Sequence, residues 1–555
     1  MRIFLSIAIV LFVCIHSGCS KKQGEVGPPA PPPNFNLSTY KLNDQVPAGT
    51  VYNLKTKPVI QLSFSGKVDR STVPSAISLV GGSGSVPLTT SFASGDSVLL
   101  IQPSSPLAAI TKYSFTLDKN LKASTGVVLT SGTSFTFVTA LDSSRKFPLI
   151  TDDSLLTLVQ KQTFRYFWDF AHPVSGLARE RNTSGDVVTS GGSGFGIMAI
   201  VAAIHRGFIT REQGLERMRA IVSFLKDKAQ TFHGAYPHWL NGATGAVVPF
   251  SNLDNGADLV ETSYLMQGLL TARQYFNGTG ITETALRDDI NTIWKGVEWN
   301  WFRKGDQNTL YWHWSPSNEW AMNMPVKGWN EALITYIMAA SSPTSPIPKI
   351  VYDEGWAGNG AIKNGKTFYG VQLPLGPDYG GPLFFAHYSF LGINPNSLSD
   401  TYAASYFTQN KAHSQINNKY CIANPKGFYG YSDSTWGLTA SDIPNGYTAS
   451  SPTNDVGVIA PTAALSSFPY TPAESMKALK FFYYVLGDKI WKEYGFVDAF
   501  SLTEPWFASS FLAIDQGPII IMIENHRSGL LWNLFMSCPE VKTGLQKLGF
   551  SSPFI

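Results

Sequence analysis

Three carboxylates, Asp254, Asp258 and Glu261, fall in one short run, Ser251-Asn-Leu-Asp-Asn-Gly-Ala-Asp-Leu-Val-Glu-Thr-Ser-Tyr-Leu-Met-Gln-Gly-Leu-Leu270. Asn255-Gly256 marks a turn, so the pattern predicts a helix from about Ala257, with 258 and 261 on one face by their three-residue spacing. Leu265, Met266, Leu269 and Leu270 then supply a core-facing stripe, which argues against a merely solvated acidic patch. Carboxyls beside apolar surface suit proton transfer, because burial raises an acid toward the neutral range.

Other residues could complete such a site. Arg179-Glu180-Arg181 precede a glycine-rich run, Asp186-Val-Val-Thr-Ser-Gly-Gly-Ser-Gly-Phe-Gly196. Its spacing does not meet G-x-G-x-x-G and no βαβ unit surrounds it, so dinucleotide binding is rejected. The glycines are expected to bend a loop that Asp186 and the Arg-Glu-Arg triplet line; salt bridges within the triplet are the equal alternative.

Half of the 14 Trp lie between Trp294 and Trp329, with Trp312, Trp314 and Trp320 in one loop-like stretch. Indole faces suit sugar rings, whose hydroxyls then need polar partners. Trp239, Trp312 and Trp436 are therefore candidate ligand contacts, with His387, Glu331, Asp455 and Glu524 as polar ones. Caps or buried ion pairs are the alternative for those three acids. There is no H-E-x-x-H and no C-x-x-C, His233 and His238 have no acid at ligand spacing, and Ser193 lacks a G-x-S-x-G elbow, so no metal or cofactor is expected.

The elements that must position these residues divide the chain. At 555 residues it exceeds one small domain, and every Trp lies after residue 150. A net charge of +3 leaves no surplus for a polyanion, so nucleic acid is excluded as a partner. Ile3 to Ile15 form an apolar run behind Arg2, too short to span a bilayer. His16-Ser17-Gly18-Cys19-Ser20 resembles a bacterial lipoprotein cleavage site, which implies a signal peptide over 1–19, lipid on Cys19, and an outer-membrane protein facing the periplasm or the cell surface. A soluble secreted protein is the alternative.

Residues 20–36 read as a proline-rich linker. Over 37–141, short alternating runs such as Val59–Phe64, Ser97–Ile101, Tyr113–Leu117 and Ser134–Val138 predict a β-sandwich. Its pattern resembles bacterial Ig-like domains. Over 150–555 the period becomes helical, beginning behind a Thr151/Asp152 cap and recurring near 195–206, 210–228, 257–277, 284–302, 328–340, 399–413, 454–466, 472–488 and 517–536. So many helices with long loops point to an all-α (α/α)6 toroid. Cys421 and Cys538 are left open between a disulfide and two buried thiols.

The motifs Asp186–Ile200, Asp254–Leu265, Asn330-Glu-Ala332, Asp455–Ala464 and Pro518–Glu524, in that order, resemble the glucoamylase-like family of bacterial β-1,2-glucanases. The resemblance implies an (α/α)6 barrel and inverting hydrolysis of β-1,2-linked glucan to sophoro-oligosaccharides. It implies Glu261 as a catalytic acid and Asp186 as the best match to a second catalytic carboxylate; Asp254 and Asp258 are then expected to bind substrate or orient Glu261, and the other candidates to contact substrate. A monomer whose partner is a saccharide is expected. A non-catalytic glycan-binding lipoprotein, or a barrel enzyme for another glucan, is the competing reading.

Overall fold

The computed structural model describes residues 34–82 and 84–555. The signal peptide, Cys19 and most of the linker expected over 20–36 lie outside the described residues. The chain divides into two compact units, one running to Ala108 with Tyr113–Thr139 added, the other Ala109–Lys112 with Ala140–Ile555.

The first unit is a pair of sheets. One orders its strands Leu37–Leu42, Ile60–Phe64, Val98–Pro103, Leu88–Ala93, with antiparallel neighbours. The other runs Val51–Leu54, Thr133–Thr139, Lys112–Leu117, Ile77–Gly81, Gly84–Ser85, its first pair parallel. Burial alternates residue by residue along Ile60–Phe64 and Lys112–Leu117. That alternation puts Leu62, Leu99, Phe115 and Phe137 into one core, as a two-layer sandwich requires.

From Asp152 the second unit combines helices that keep an exposed face with segments buried nearly throughout, in alternation except between Leu333–Ser341 and Tyr388–Leu391. The first kind are Asp152–Trp168, Arg211–Asp227, Ile281–Gly296, Tyr406–Ala423 and Pro472–Tyr484. The second are Ser190–His205, Leu259–Tyr275, Leu333–Ser341, the 3-10 turn Tyr388–Leu391, Pro461–Leu465 and Ala513–Ser528. Ser190–His205 packs on Leu259–Tyr275 at one side and on Ala513–Ser528 at the other, and Leu333–Ser341 continues from Leu259–Tyr275. Local chemistry sets the starts: Thr151 accepts from the Ser154 N–H, and Thr210 forms a capping box with Gln213.

The glycine-rich run is not a loop ahead of a helix. The helix starts at Ser190 and contains Gly191, Gly192, Gly194 and Gly196. Each helical glycine costs about 1 kcal/mol relative to alanine, and close helix crossing offsets this. A Cβ on Gly194 would lie 2.2 Å from the Tyr264 carbonyl oxygen, and one on Gly268 would lie 2.2 Å from that of Gly194. The two backbones meet where side chains would stand.

Other boundaries also move. The helix expected over 399–413 begins only at Tyr406, because Asp400 turns the chain by accepting from the Tyr402 and Ala403 N–H groups, and it then runs to Ala423. Of 454–466 only Pro461–Leu465 is helical. The segment 517–536 is two helices, broken at Gly529 with φ +68°.

Candidate active site

The acidic run folds differently from a helix beginning at Ala257. Ala257 and Asp258 pair with Trp314 and His313 in a two-residue ladder, so the helix starts at Leu259 and Asp258 becomes its N-cap. The cap oxygen accepts from the Glu261 N–H at 2.8 Å. The other Asp258 oxygen accepts from His238 Nδ1 at 2.9 Å and Trp312 Nε1 at 3.1 Å. Asp254 is buried and paired with His313 Nε2 at 3.2 Å.

Glu261 reaches the N-terminus of the Ser190–His205 helix. Its Oε2 accepts from the Gly191 N–H at 2.8 Å and from Thr189 Oγ1 at 3.2 Å. Gly191 is required here, since a Cβ would lie 2.4 Å from that same oxygen. Burial pushes the Glu261 carboxyl up and the nearby Asp258 charge adds to this, against the opposing charge of His238 and the Gly191 N–H; the net direction is upward. Burial alone would lower His238, but the charge of Glu261 and the bond from Asp258 push it up to about 9. Glu331 is near enough to feel Glu261 and Asp258; burial pushes it up to about 7.

A second wall gathers acids distant in sequence. Arg181 pairs with Glu180 at 3.0 Å and with Asp442 at 3.2 Å. Asp442 also accepts from Ser510 Oγ at 2.5 Å, and its N–H donates to Asp498 Oδ2 at 2.6 Å. Behind it Asp498 contacts Asp515, and both are buried. Burial pushes Asp498 up to about 7 and Asp515 well above the carboxylate range.

A cavity of about 350 Å³ joins the walls, lined by Thr189, His238, Trp239 and Phe250 on one side and by Glu180, Arg181, Tyr447, Leu512 and Ile514 on the other. Arg181 and Tyr447 continue into a second cavity of about 520 Å³ that includes Asp442 and Trp506. Phe250 stacks on His238 at 4.3 Å and meets Trp239 edge-on at 4.9 Å, giving the rim an aromatic platform. The arrangement can hold a flat, hydroxyl-rich ligand between an aromatic rim and carboxylates. Potential ligand atoms of His238, Asp254 and Asp258 also lie within 4.8 Å of one another, so His238 does have acid partners in space. His238 and Asp258 already satisfy each other there.

Glu180, Arg181, Trp239, Asp254, Asp258, Trp312, Glu261 and Glu331 therefore come together at or just behind the cavity. Asp186 does not join them. Its side chain is 63% exposed and contacts His172 at 3.2 Å. The strand Val187–Thr189 separates it from Thr189, about 10 Å at strand rise. Arg179 lies over the Phe170 ring and donates to the Phe170 carbonyl instead of facing the cavity.

His387 is buried, hydrogen-bonded to Ser467 Oγ at 3.0 Å, and burial lowers it to about 3. Trp436 is fully buried core. Asp455 staples its loop, accepting from Tyr420 at 3.0 Å and Tyr431 at 2.7 Å. Glu524 is held by Arg206 at 2.6 Å as a buried ion pair. For these residues packing, cap or ion-pair roles replace the expected ligand contact. Cys421 and Cys538 are free, buried thiols.

Sequence reasoning missed Thr189, His238, Asp442, Tyr447, Asp498 and Asp515. His238 carries a signal in hindsight, standing among aromatics in Tyr236-Pro-His-Trp239. The other acids carry none, because only tertiary structure brings residues 181, 442, 498 and 515 together.

Comparison with known proteins places these walls in context. The Glycoamylase family model matches residues 323–539, and a bacterial Ig-like domain model matches 39–139. A Parabacteroides distasonis protein named exo β-1,2-glucooligosaccharide sophorohydrolase (non-reducing end) is 49% identical over 429 residues. That match covers 73% of this chain and 59% of the relative, so the chain spans only part of that protein's length. A solved endo-β-1,2-glucanase from Chitinophaga pinensis, in complex with sophorotriose and glucose, is 55% identical with TM-score 0.71, covering 73% of this chain and all of that one. A solved β-1,2-glucanase from Parabacteroides distasonis is 39% identical with TM-score 0.70, covering 93% and 73%.

Proposed function

The chain belongs to the glucoamylase-like family, and from that premise we propose that it hydrolyses β-1,2-linked glucan to sophorose or sophoro-oligosaccharides with inversion. The observation that carries the proposal is the Glu261 carboxyl, raised by burial and held by Gly191 and Thr189 beneath a cavity with an aromatic rim. A carboxyl whose hold on its proton is strengthened by burial can donate that proton to the departing glycosidic oxygen. His238, fixed by Asp258 and in turn by Trp312, sits beside it and stabilises the anion left after donation.

Inversion needs a second carboxylate on the opposite side, with room for water between the two at about 6.5–9.5 Å. Asp442 fills that role better than Asp186. It borders the continuation of the cavity, on the wall opposite Glu261, with its oxygens oriented by Arg181 and Ser510. Trp239, Phe250 and Tyr447 stack on the sugar faces, and Glu180 and Arg181 take the hydroxyls.

The same proposal includes closure of the alternating helices into an (α/α)6 toroid. It also includes a monomer that needs no metal or cofactor, anchored through lipid on Cys19 in the outer membrane with the Ig-like unit as spacer. Chromatography of products from linear β-1,2-glucan, with laminarin and starch as controls, tests the substrate. Products from β-1,2-glucan alone support it, a sophorose-only pattern marking exo and a ladder endo action. Products only from a control, or binding without hydrolysis, contradict it.

A further inference from the structure

Behind Asp442 stand two acids that the reaction outlined above does not use. Asp498 and Asp515 are each 2% exposed, and their carboxyl groups face one another. Asp498 Oδ2 accepts the Asp442 N–H, while Asp498 Oδ1 and Asp515 Oδ2 have no donor among the described residues. A buried carboxylate oxygen without a donor is costly, and two acceptors cannot bond each other without a proton. One proton placed between them satisfies both, as in other buried carboxyl pairs.

The surroundings favour retention of that proton. The groups facing the pair are Arg181 and Asp442 from the groove, Tyr447 from the 440–449 hairpin, and Tyr388 on the Asp515 side. Arg181 is already divided between Glu180 and Asp442. It cannot also neutralise two anions behind them.

We propose that Asp498 and Asp515 are positioning residues that share one proton, and that this proton keeps Asp442 seated at the groove. With it, the pair is a monoanion whose remaining charge accepts the Asp442 N–H. Without it, two adjacent anions stand directly behind the Asp442 carboxylate and push the hairpin outward. The function of the pair rests on the reading of Asp442 as the base; the shared proton itself does not.

Burial raises both acids, Asp498 to about 7. Their folded-state pKa values thus exceed the unfolded ones, so the stability contributed by Asp498 is full below the ordinary carboxylate range and is lost as pH rises through about 7, while that contributed by Asp515, raised further, is lost only at higher pH, where the shared proton leaves.

The test compares the full chain with Asp515→Asn, whose amide donates to Asp498 at any pH. The alkaline limb of kcat on a sophoro-oligosaccharide is expected to move up by about one pH unit or more in the variant. Infrared spectra of protein with ¹³C-labelled aspartate are expected to show a buried protonated carboxyl near neutral pH in the wild type that Asp515→Asn lacks. An unmoved alkaline limb, or no protonated band in the wild type, overturns the proposal. The wild-type spectrum decides the shared proton even where the variant does not fold. If Asp442→Asn kept full turnover, the base assignment would fall while the infrared signature still judged the pair.

Discussion

The two walls of the cavity use opposite means to hold acids out of water. The Glu261 wall spreads charge over unlike partners: a helix N-terminus, a threonine hydroxyl, an imidazole pushed up to about 9 and an indole N–H. The Asp442 wall gathers four acids, Glu180, Asp442, Asp498 and Asp515, around one guanidinium. On the first wall the surroundings raise one carboxyl and aim it; on the second, one cation cannot serve every acid, and the surplus is met by protonation. The comparison teaches that raised acids arise in two ways, through burial against a fixed donor set and through crowding, and that only the first points a proton at a ligand.

That contrast is breakable at several points. Glu261→Gln keeps the shape and removes the proton, so turnover is expected to fall about 10³-fold or more while the circular dichroism spectrum stays native. Asp442→Asn is expected to cost about 10²-fold in kcat with KM little changed, since water activation is lost but binding is not. A smaller effect is expected from Gly191→Ala. Its methyl would displace the Glu261 carboxyl, lowering kcat/KM by about tenfold to a hundredfold, read in the same assay. Glu524→Gln is expected to leave turnover per folded molecule unchanged and to cost about 2 kcal/mol of stability in urea unfolding, because Arg206 loses its charged partner.

What could be read from the sequence follows the range of the forces involved. Strand alternation in the first unit and the cap at Thr151 are local, and they were legible, whereas the Asp258 cap was hidden by the pairing of Ala257 and Asp258 with Trp314 and His313. The burial of Glu261 was legible too, because three acids near an apolar stripe already imply it. The glycines at 191–196 misled, since low helix propensity is a local signal overridden by the crossing of Gly194 with Gly268. Glu524 and Asp455 look like site acids by type and by motif. Only the positions of Arg206, Tyr420 and Tyr431 show them to be satisfied elsewhere. Of the second wall only Glu180 and Arg181 were legible, because no spacing rule links Arg181 to Asp442, Asp498 and Asp515.

On the proposed mechanism the Glu261 carboxyl donates the proton that releases the leaving sugar. The most direct measurement of that step is release of reducing sugar from linear β-1,2-glucan by wild type and Glu261→Gln side by side, with matched circular dichroism. Robust release by the wild type and a loss of about 10³-fold or more in the variant are expected. Near-wild-type release by a folded Glu261→Gln protein would contradict it.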